Sequence, residues 1–308
     1  MASPVFRSAQ SDPIDLDRLA DDLRAAYPQL GAIAPLRLLG VGFGGVVVAT
    51  AGDKVVQIAR NHPAMEGYAR EARLLPTLSV HLPVAIPTPT WLLAPTARFP
   101  YGALIYPLLP GTPLSPERLI AENTPLLALD LATFLLALHR FRLSQALALG
   151  APSHGARALY DAQLVEAALV ALVGELSRAE YAAAHDLASE VRHNPYADTF
   201  ARTLIHGDLW YDNILVDGAA RHVLGVVDLE RATEGDPAED FATLSYLGEP
   251  FVTTTLASYR MLGGDPGARL AERMVYHHRK RELLGVGFAA LYDPAELTDA
   301  IAKLRAIF

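Results

Sequence analysis

The 308-residue chain contains no cysteine, which excludes disulfide bridges, thiolate metal sites and a cysteine nucleophile. Lysine is scarce, since it occurs only at Lys54, Lys280 and Lys303, and arginine carries most of the positive charge. The net charge is −8, from 34 acidic and 26 basic residues. Such a balance argues against nucleic-acid binding, which needs a basic face to neutralise phosphates. A chain without cysteine suits a reducing cytosol, so we expect a cytoplasmic protein.

Long apolar segments are also missing. The longest one, Leu126 to Leu138, is interrupted by Asp130 and is too short to span a bilayer, so it predicts a buried helix and no membrane partner. The first residues lack the apolar core of a signal peptide. With 51% hydrophobic and 19% charged residues, the composition is typical of a folded globular protein with one large or two smaller domains.

The N-terminal third is rich in strand signals. Two β-branched runs flank a turn at residues 51–53 and predict a hairpin, and a glycine-rich segment at 40–45 precedes it. A helical pattern follows over 64–80, and then a proline-rich stretch that predicts an extended loop. An apolar strand at 103–109 ends at Pro110-Gly111.

The remainder is mostly helical. Apolar residues recur at helical spacing over 126–141 and 163–190, and again from Ala238 to the end. Short β runs interrupt this pattern between Thr203 and Asp228. Strands and helices that are segregated in this way predict an α+β fold. We expect a nucleotide-binding lobe over 1–107 and a helical lobe over 108–308, with a cleft between them.

The strongest candidate for chemistry is the segment from His206 to Asn213, which lies between two short apolar runs. It places Asp208 in a loop and Asn213 five residues later, and Asp228 follows at the end of the next strand signal. Phosphoryl transfer needs a carboxylate that orients a hydroxyl and accepts its proton. Amide and carboxylate oxygens suit Mg²⁺ bound to nucleotide phosphates. An Asp-Asn pair by itself marks a turn, and a lone histidine is usually a core residue; the combination favours phosphoryl transfer.

These motifs, HGDLWYDNIL followed by VVDLERATEGDPAEDFA, resemble the aminoglycoside phosphotransferase family, including its macrolide branch. The similar order of lobes extends the resemblance over about residues 30–290. It implies a protein-kinase-like two-lobed fold with a small β-rich N-terminal lobe and a larger, mostly helical C-terminal lobe. It also implies a kinase that moves the γ-phosphoryl group of ATP or GTP to the hydroxyl of a small molecule.

The same resemblance implies roles for individual residues. Asp208 corresponds to the catalytic base, and His206 to a residue that braces the catalytic loop. Asn213 and Asp228 correspond to the Mg²⁺ ligands.

Downstream of Asp228 the chain carries several more acidic residues. Asp236 and Asp240 match a family segment that supports the loop, and Asp236-Pro237 is a good helix start, so we interpret both as structural. Together with Glu230, Glu234 and Glu239 they form an acidic run that could hold a cationic acceptor, as the resemblance suggests, although a solvated loop is the commoner fate of such a run. The basic run at 276–281 predicts an exposed helix face.

The glycine segment matches G-x-G-x-x-G but leads into a strand, which disfavours a dinucleotide-binding fold. A strand, glycine loop and strand suit a flap over ATP phosphates, with Gly42 and Gly44 in the loop. The strand at 103–109 resembles the family's linker between lobes, where backbone groups near Ile105 and Tyr106 would bond the purine edge. An ordinary buried strand is the alternative.

One position departs from the family pattern. Glu71 matches a helix glutamate that in kinase-like sites holds a strand lysine, but the expected lysine position is Gln57. Lys54 and Arg60 lie on the opposite face of the strand, because side chains alternate with period two. Three alternatives remain: a register shift brings Lys54 or Arg60 in, a neutral contact suffices, or phosphate binding is impaired. We favour Gln57 as the phosphate contact.

The motif does not separate an antibiotic acceptor, and so antibiotic resistance, from a metabolite acceptor. A nucleotide-binding pseudo-enzyme with a regulatory role is a third alternative, which Gln57 supports and the intact Asp208, Asn213 and Asp228 oppose.

Overall fold

The structure is a computed structural model that describes residues 14–42 and 44–308. Phe43, in the predicted glycine loop, lies outside the described residues, as do residues 1–13. In these ranges no helix has both the length and the apolar character that a membrane crossing requires.

The α-helices are α1 (Leu16–Ala26), α2 (His62–Ser79), α3 (Thr124–Arg140), α4 (Leu143–Ala148), α5 (His154–Ala171), α6 (Arg178–His193), α7 (Pro237–Thr243), α8 (Glu249–Met261), α9 (Leu270–Tyr292) and α10 (Leu297–Arg305). The strands are β1 (Arg37–Val41), β2 (Gly45–Ala49), β3 (Lys54–Ala59), β4 (Trp91–Leu93), β5 (Ala103–Pro107), β6 (Thr112–Pro113), β7 (Thr203–Ile205), β8 (Ile214–Val216), β9 (Val223–Val226) and β10 (Thr233–Gly235).

The contacts divide the described chain into two compact units. The first comprises the chain up to Val80 together with Ala85–Leu109, and the second comprises His81–Val84 and Pro110–Phe308. The first unit contains a small antiparallel sheet and the second is largely helical, so the predicted α+β class is confirmed.

The first unit is built on a five-stranded antiparallel sheet in the order β1-β2-β3-β5-β4. The hairpin expected around residues 51–53 is the β2–β3 pair, and β1 pairs with β2 on the other side of the glycine loop. One sheet face packs on α1 and the residues after it, where Leu23 and Leu30 share a buried cluster with Val56 and Ile105. This packing removes apolar surface of α1 and of the sheet from water, which stabilises the first unit.

The other face of the sheet packs on α2. Tyr68 of this helix is buried against Ala59 and Leu104, which belong to β3 and β5. The helix begins at the Asn61 cap, whose side chain accepts a hydrogen bond from the Ala64 amide. Helix α1 therefore lies on one face of the sheet and α2 on the other. Because side chains alternate along a strand, each β3 side chain points towards one of these two helices.

In the second unit the long helical segment predicted over 163–190 is two helices, so that prediction of a single segment is wrong. The chain turns between α5 and α6 at Gly174, which has a φ of 83°, a backbone conformation that favours glycine. Helix α6 then starts with a capping box, in which Ser177 and Glu180 each bond the other's backbone amide. The glycine turn and the capping box therefore end one helix and begin the next, although the apolar pattern continues across them.

Helix α9 packs along α5 in the core of the second unit, where Leu164 and Val165 meet Leu283 and Val286. Two short sheets lie beside this helical core, β6-β8-β9 and β10-β7. They are the β runs predicted between Thr203 and Asp228, extended by β6 and β10, which the sequence pattern did not indicate.

The contact between α9 and α5 generates a stability prediction. A Cβ atom at Gly287 would overlap the backbone carbonyl of Leu164, whereas a Cβ at Gly285 of the same helix meets nothing within 4 Å. We expect Gly287→Ala to lower the free energy of unfolding by about 1–3 kcal/mol, because the helices must separate. Gly285→Ala is the matched control and should raise it by up to about 1 kcal/mol through helix propensity. Urea unfolding measures both, and equal effects would contradict the packing described.

Candidate active site

The loop that follows β7 is held by one buried carboxylate. Asp240 of α7 accepts hydrogen bonds from the backbone amides of His206 and Gly207, each at 2.9 Å. Its side chain is fully buried and lies 3.1 Å from Nε2 of His139. A buried charge with several donors is stable and strongly directional, so Asp240 fixes the backbone from which Asp208 projects.

Glycine is required at the second residue of this loop. Gly207 has a φ of 77°, and a Cβ atom there would lie 2.7 Å from the carbonyl oxygen of Arg231. Any other residue would be strained and would push the two segments apart.

His206 joins this loop to the end of β9. Its Nε2 lies 3.0 Å from the Val227 carbonyl oxygen, and its Nδ1 lies 3.3 Å from the Asp208 amide nitrogen. Burial lowers the pKa of His206 below its usual value, so the ring is neutral. A neutral ring with Nε2 protonated satisfies both contacts, since Nε2 donates to the carbonyl and Nδ1 accepts from the amide.

Asn213 brings the other two polar residues together. Its Nδ2 donates to the Asp208 carbonyl oxygen at 2.8 Å, and its backbone carbonyl accepts from the Val227 amide at 2.9 Å. Its side chain also hydrogen-bonds the Asp228 carboxylate, which follows β9. The structure therefore places Asp208, Asn213 and Asp228 in one site, because β8 and β9 pair antiparallel just beyond them.

Asp228 occupies a sparsely populated backbone conformation, with φ 63° and ψ 54°, at the end of β9. Its pKa is raised to about 7 by desolvation and by the neighbouring carboxylates of Asp208 and Glu230. Because Asp228 is exposed, solvent lessens the desolvation penalty, and the two like charges are the main cause of the raised pKa. A cation at this position would relieve their repulsion.

The donor set fits Mg²⁺. With its Nδ2 engaged, Asn213 has Oδ1 as an oxygen ligand, and Asp228 supplies a carboxylate. Between residues 14 and 308, Phe43 apart, no group of three or more His, Cys, Asp or Glu side chains forms a metal cluster. Mg²⁺ commonly takes only one or two carboxylates from the protein and completes its shell with phosphates and water.

Asp208 forms an ion pair that the sequence did not indicate. Its Oδ1 lies 2.5 Å from Nη1 of Arg281, on α9. Burial raises the pKa of Asp208, but the charges of Arg281 and Arg231 outweigh it and lower the pKa to about 2. The carboxylate is therefore ionised at neutral pH.

The prediction that residues 276–281 form an exposed basic face is wrong. Tyr276 and His277 are buried, Lys280 pairs with Asp161 at 2.6 Å, and Arg281 reaches Asp208. Helical spacing alone could not reveal this, because the partners come from distant segments.

The acidic run after Asp228 is not the solvated loop that its composition favours. Glu239 pairs with Arg157 at 2.7 Å. Asp236 is buried between Arg273 and His277. Its Oδ1 lies 2.5 Å from Nη2 of Arg273, and its Oδ2 lies 2.9 Å from Nε2 of His277. Asp236 also caps α7 through the Ala238 amide at 2.9 Å, so its prediction as a structural residue is confirmed.

The glycine loop belongs to the first unit. The Gly42 amide donates to the Gly45 carbonyl at 2.9 Å and closes the turn between β1 and β2. The Gly44 carbonyl accepts from the Arg60 amide, also at 2.9 Å. The predicted arrangement of strand, glycine loop and strand is confirmed, and its central residue Phe43 lies outside the described residues.

Gln57 and Lys54 point to opposite faces of β3, which keeps an uninterrupted register with β2 and β5. The Lys54 amine donates to the Leu30 carbonyl at 2.7 Å and lies 5.0 Å above the Trp91 ring. Gln57 pairs with Leu104, which packs on α2, the helix that carries the buried Glu71. The register shift that would bring Lys54 to the Gln57 face is absent from this part of the described chain.

Ile105 and Tyr106 lie in β5, where Tyr106 pairs with Val55. The Ile105 carbonyl accepts from the Thr90 amide at 2.7 Å, and the Leu108 amide donates to the Asp53 carbonyl at 2.9 Å. These backbone groups already take part in the sheet and the adjoining turn. A purine contact near Tyr106 stays a prediction.

Several solved phosphotransferases have a similar fold. An aminoglycoside phosphotransferase with GDP and kanamycin has a TM-score of 0.80 and 21% identity, covering 94% of this chain and 98% of that chain. A macrolide 2′-phosphotransferase from Brachybacterium faecium has a TM-score of 0.67 and 24% identity, over 95% and 98%. A streptomycin–ATP complex of another aminoglycoside phosphotransferase has a TM-score of 0.68 and 18% identity, over 96% and 97%. These similarities confirm the kinase-like fold.

No curated protein matches the chain. The sequence model of the phosphotransferase enzyme family matches residues 39–273, which is most of the chain and includes Gln57, Asp208, Asn213 and Asp228. The chain therefore belongs to the phosphotransferase enzyme family.

Proposed function

We propose that this phosphotransferase uses Mg²⁺ and moves the γ-phosphoryl group of ATP or GTP to the hydroxyl of a small molecule. The observation that carries the proposal is that the Asn213 side chain bonds both the backbone carbonyl of Asp208 and the carboxylate of Asp228. A carboxylate for the hydroxyl and an oxygen pair for a cation are thereby held side by side, as phosphoryl transfer requires.

Each residue has a chemical task in this reaction. Asp208 orients the acceptor hydroxyl and takes its proton while the hydroxyl oxygen bonds the γ-phosphorus and the bond to the nucleoside diphosphate breaks. Asn213 and Asp228 hold the metal, which neutralises phosphate charge when it is bound. His206 and Asp240 hold the loop from which Asp208 projects.

The nucleotide-binding residues of the proposal lie in the first unit, within the lobe predicted over 1–107. Backbone amides of the loop with Gly42 and Gly44 would contact phosphates, and Gln57 would contact them from β3 with Glu71 behind it. The strand around Ile105 and Tyr106 would take the purine. Gln57 donates hydrogen bonds without charge, so this contact gives up Coulomb attraction of about a few kcal/mol.

Aminoglycosides and macrolides are the first acceptors to test, because the solved relatives include complexes with kanamycin and streptomycin and a macrolide phosphotransferase. A transfer to either class would support a role in antibiotic resistance in the cytoplasm. A metabolite kinase and a nucleotide-binding pseudo-enzyme are the alternatives.

The deciding experiment measures phosphoryl transfer from ATP and from GTP to kanamycin, streptomycin and a macrolide, with Mg²⁺ and with EDTA. Transfer that needs Mg²⁺ supports the proposal. Nucleotide hydrolysis without transfer favours a metabolite acceptor. Nucleotide binding with neither hydrolysis nor transfer favours the pseudo-enzyme.

Asp208 should be essential for turnover. We expect Asp208→Asn to lower kcat by about 10²–10⁴-fold, because an amide cannot accept the proton, while the Kd of the nucleotide stays nearly constant. Asp299→Asn on α10 is the matched control, since its ion pair with Lys303 is exposed and should not affect kcat. Equal turnover of Asp208→Asn and the parent would refute this role.

Asp228 should govern metal-dependent binding. We expect Asp228→Ala to weaken binding of the Mg²⁺–nucleotide complex about 10- to 100-fold, because it removes a charged ligand, and Asn213→Ala to do so less. Calorimetry with Mg²⁺ and with EDTA measures this, and the difference should vanish in EDTA. Glu249→Ala, at an exposed position of α8, serves as the control. Unchanged affinity with Mg²⁺ would show that Asp228 is not a ligand.

Gln57 tests the nucleotide site of the first unit. Gln57→Lys should tighten nucleotide binding or raise turnover, because it adds a cation on the sheet face that packs on α2, the helix of Glu71. Gln57→Ala should weaken binding by only about 0.5–1.5 kcal/mol, the value of one hydrogen bond. Both are measured as the nucleotide Kd. If neither variant changes this Kd, Gln57 does not contact the phosphates.

A further inference from the structure

The ion pair between Asp208 and Arg281 uses one particular carboxylate oxygen. Nη1 of Arg281 donates to Oδ1 at 2.5 Å. In the described part of the chain, Oδ2 has no hydrogen-bond partner, so it is the oxygen that an acceptor hydroxyl would meet. The terminal torsion of an aspartate has a broad energy minimum, and without a partner the two oxygens would exchange places.

Arg281 is itself held from a second side. It is hydrogen-bonded to Tyr246, in the turn that follows α7, and its guanidinium lies 6.0 Å from the centre of the Tyr246 ring. The Tyr246 hydroxyl donates to Oε1 of Glu282, so its oxygen accepts from Arg281. Burial and this bond to Glu282 raise the pKa of Tyr246, which therefore stays protonated. Glu282, Tyr246, Arg281 and Asp208 thus form a continuous chain of contacts.

The neighbouring cations of α9 have other partners. Lys280 pairs with Asp161, and Arg279 lies 3.4 Å from Glu190 with both side chains partly exposed. Among the cations of α9, which lies wholly within the described chain, Arg281 is the one that reaches the loop with Asp208. It also lies beyond residue 273, where the match to the phosphotransferase enzyme family ends, so the family motifs do not assign it a role.

We propose that Arg281, oriented by Tyr246 and Glu282, is a positioning residue that fixes Oδ1 of Asp208 and presents Oδ2 to the acceptor hydroxyl. The inference rests on the proposed function, because it concerns the orientation of the proposed base. Arg281 acts through Asp208 and does not itself touch the reacting atoms. Holding the base in one geometry lowers the entropic part of the barrier, so its effect falls on kcat.

The test measures steady-state hydrolysis of Mg²⁺–ATP and Mg²⁺–GTP with water as the acceptor, and phosphoryl transfer to any acceptor that the panel identifies. We expect Arg281→Ala to lower kcat about 10- to 100-fold, the value of one hydrogen bond between charged groups, with KM for the nucleotide changed less than about twofold. Arg281→Lys should recover part of the loss, since lysine keeps the charge but not the planar fork. Added guanidinium ion, at concentrations that leave the melting temperature unchanged, should partly restore Arg281→Ala.

Arg279→Ala is the matched control, because it removes the same side chain two residues away on the same helix. Its kcat should equal that of the parent and should not respond to guanidinium. Tyr246→Phe tests the orienting contact: it should lower kcat, and the double variant with Arg281→Ala should be no slower than Arg281→Ala alone, because the two residues act in series. If Arg281→Ala does not fold, Arg281→Lys and Tyr246→Phe carry the test.

An unchanged kcat of folded Arg281→Ala, or a loss that neither guanidinium nor Arg281→Lys reduces, overturns the proposal. A higher kcat or a lower acceptor KM also overturns it, because Arg281 would then block Asp208. If the parent neither hydrolyses nor transfers phosphate from either nucleotide, the proposed function fails first and the inference falls with it. If the parent is active and Arg281→Ala has the same kcat as the parent, only the inference is overturned.

Discussion

The second unit depends on one buried carboxylate, Asp240. It accepts the backbone amides of His206 and Gly207 and so sets the path of the chain into Asp208. A charge with 0% exposure is tolerated only if its donors stay in place, so the loop and helix α7 constrain each other. The Asn213 side chain connects the backbone of Asp208 to Asp228, and Arg281 connects the Asp208 carboxylate to α9. Asp208, Asn213 and Asp228 are thus held through backbone and side-chain hydrogen bonds.

The sequence predicted the parts of this arrangement that are local. The hairpin around residues 51–53, the α+β class and the role of Asp236 as a cap follow from period, turn residues and cap chemistry, which act within a few residues. The turn at Gly174 was missed because an apolar pattern continues across it. The expectation of an exposed face at 276–281 failed for another reason: a charge run looks solvated until distant partners are known.

The candidate site divides in the same way. The proximity of Asp208, Asn213 and Asp228 could be predicted because their spacing reflects one loop and one strand pair. Arg281 could not, since it is 73 residues from Asp208 and its only local signal was a basic run. The strand period correctly predicted that Gln57 and Lys54 lie on opposite faces of β3, and the structure adds the contacts of Lys54 with Leu30 and Trp91.

The contacts of helix α9 limit how its sequence can change during evolution. Arg273, His277 and Arg281 recur every four residues and form one stripe, of which the first two bind Asp236 and the third binds Asp208. A fourth position of α9 is constrained by contact with α5, since a Cβ atom at Gly287 would overlap the backbone of Leu164. A substitution at any of these four positions would therefore disturb Asp236, Asp208 or the contact with α5. Inherited change should accumulate in the segments around α9 sooner than at these positions.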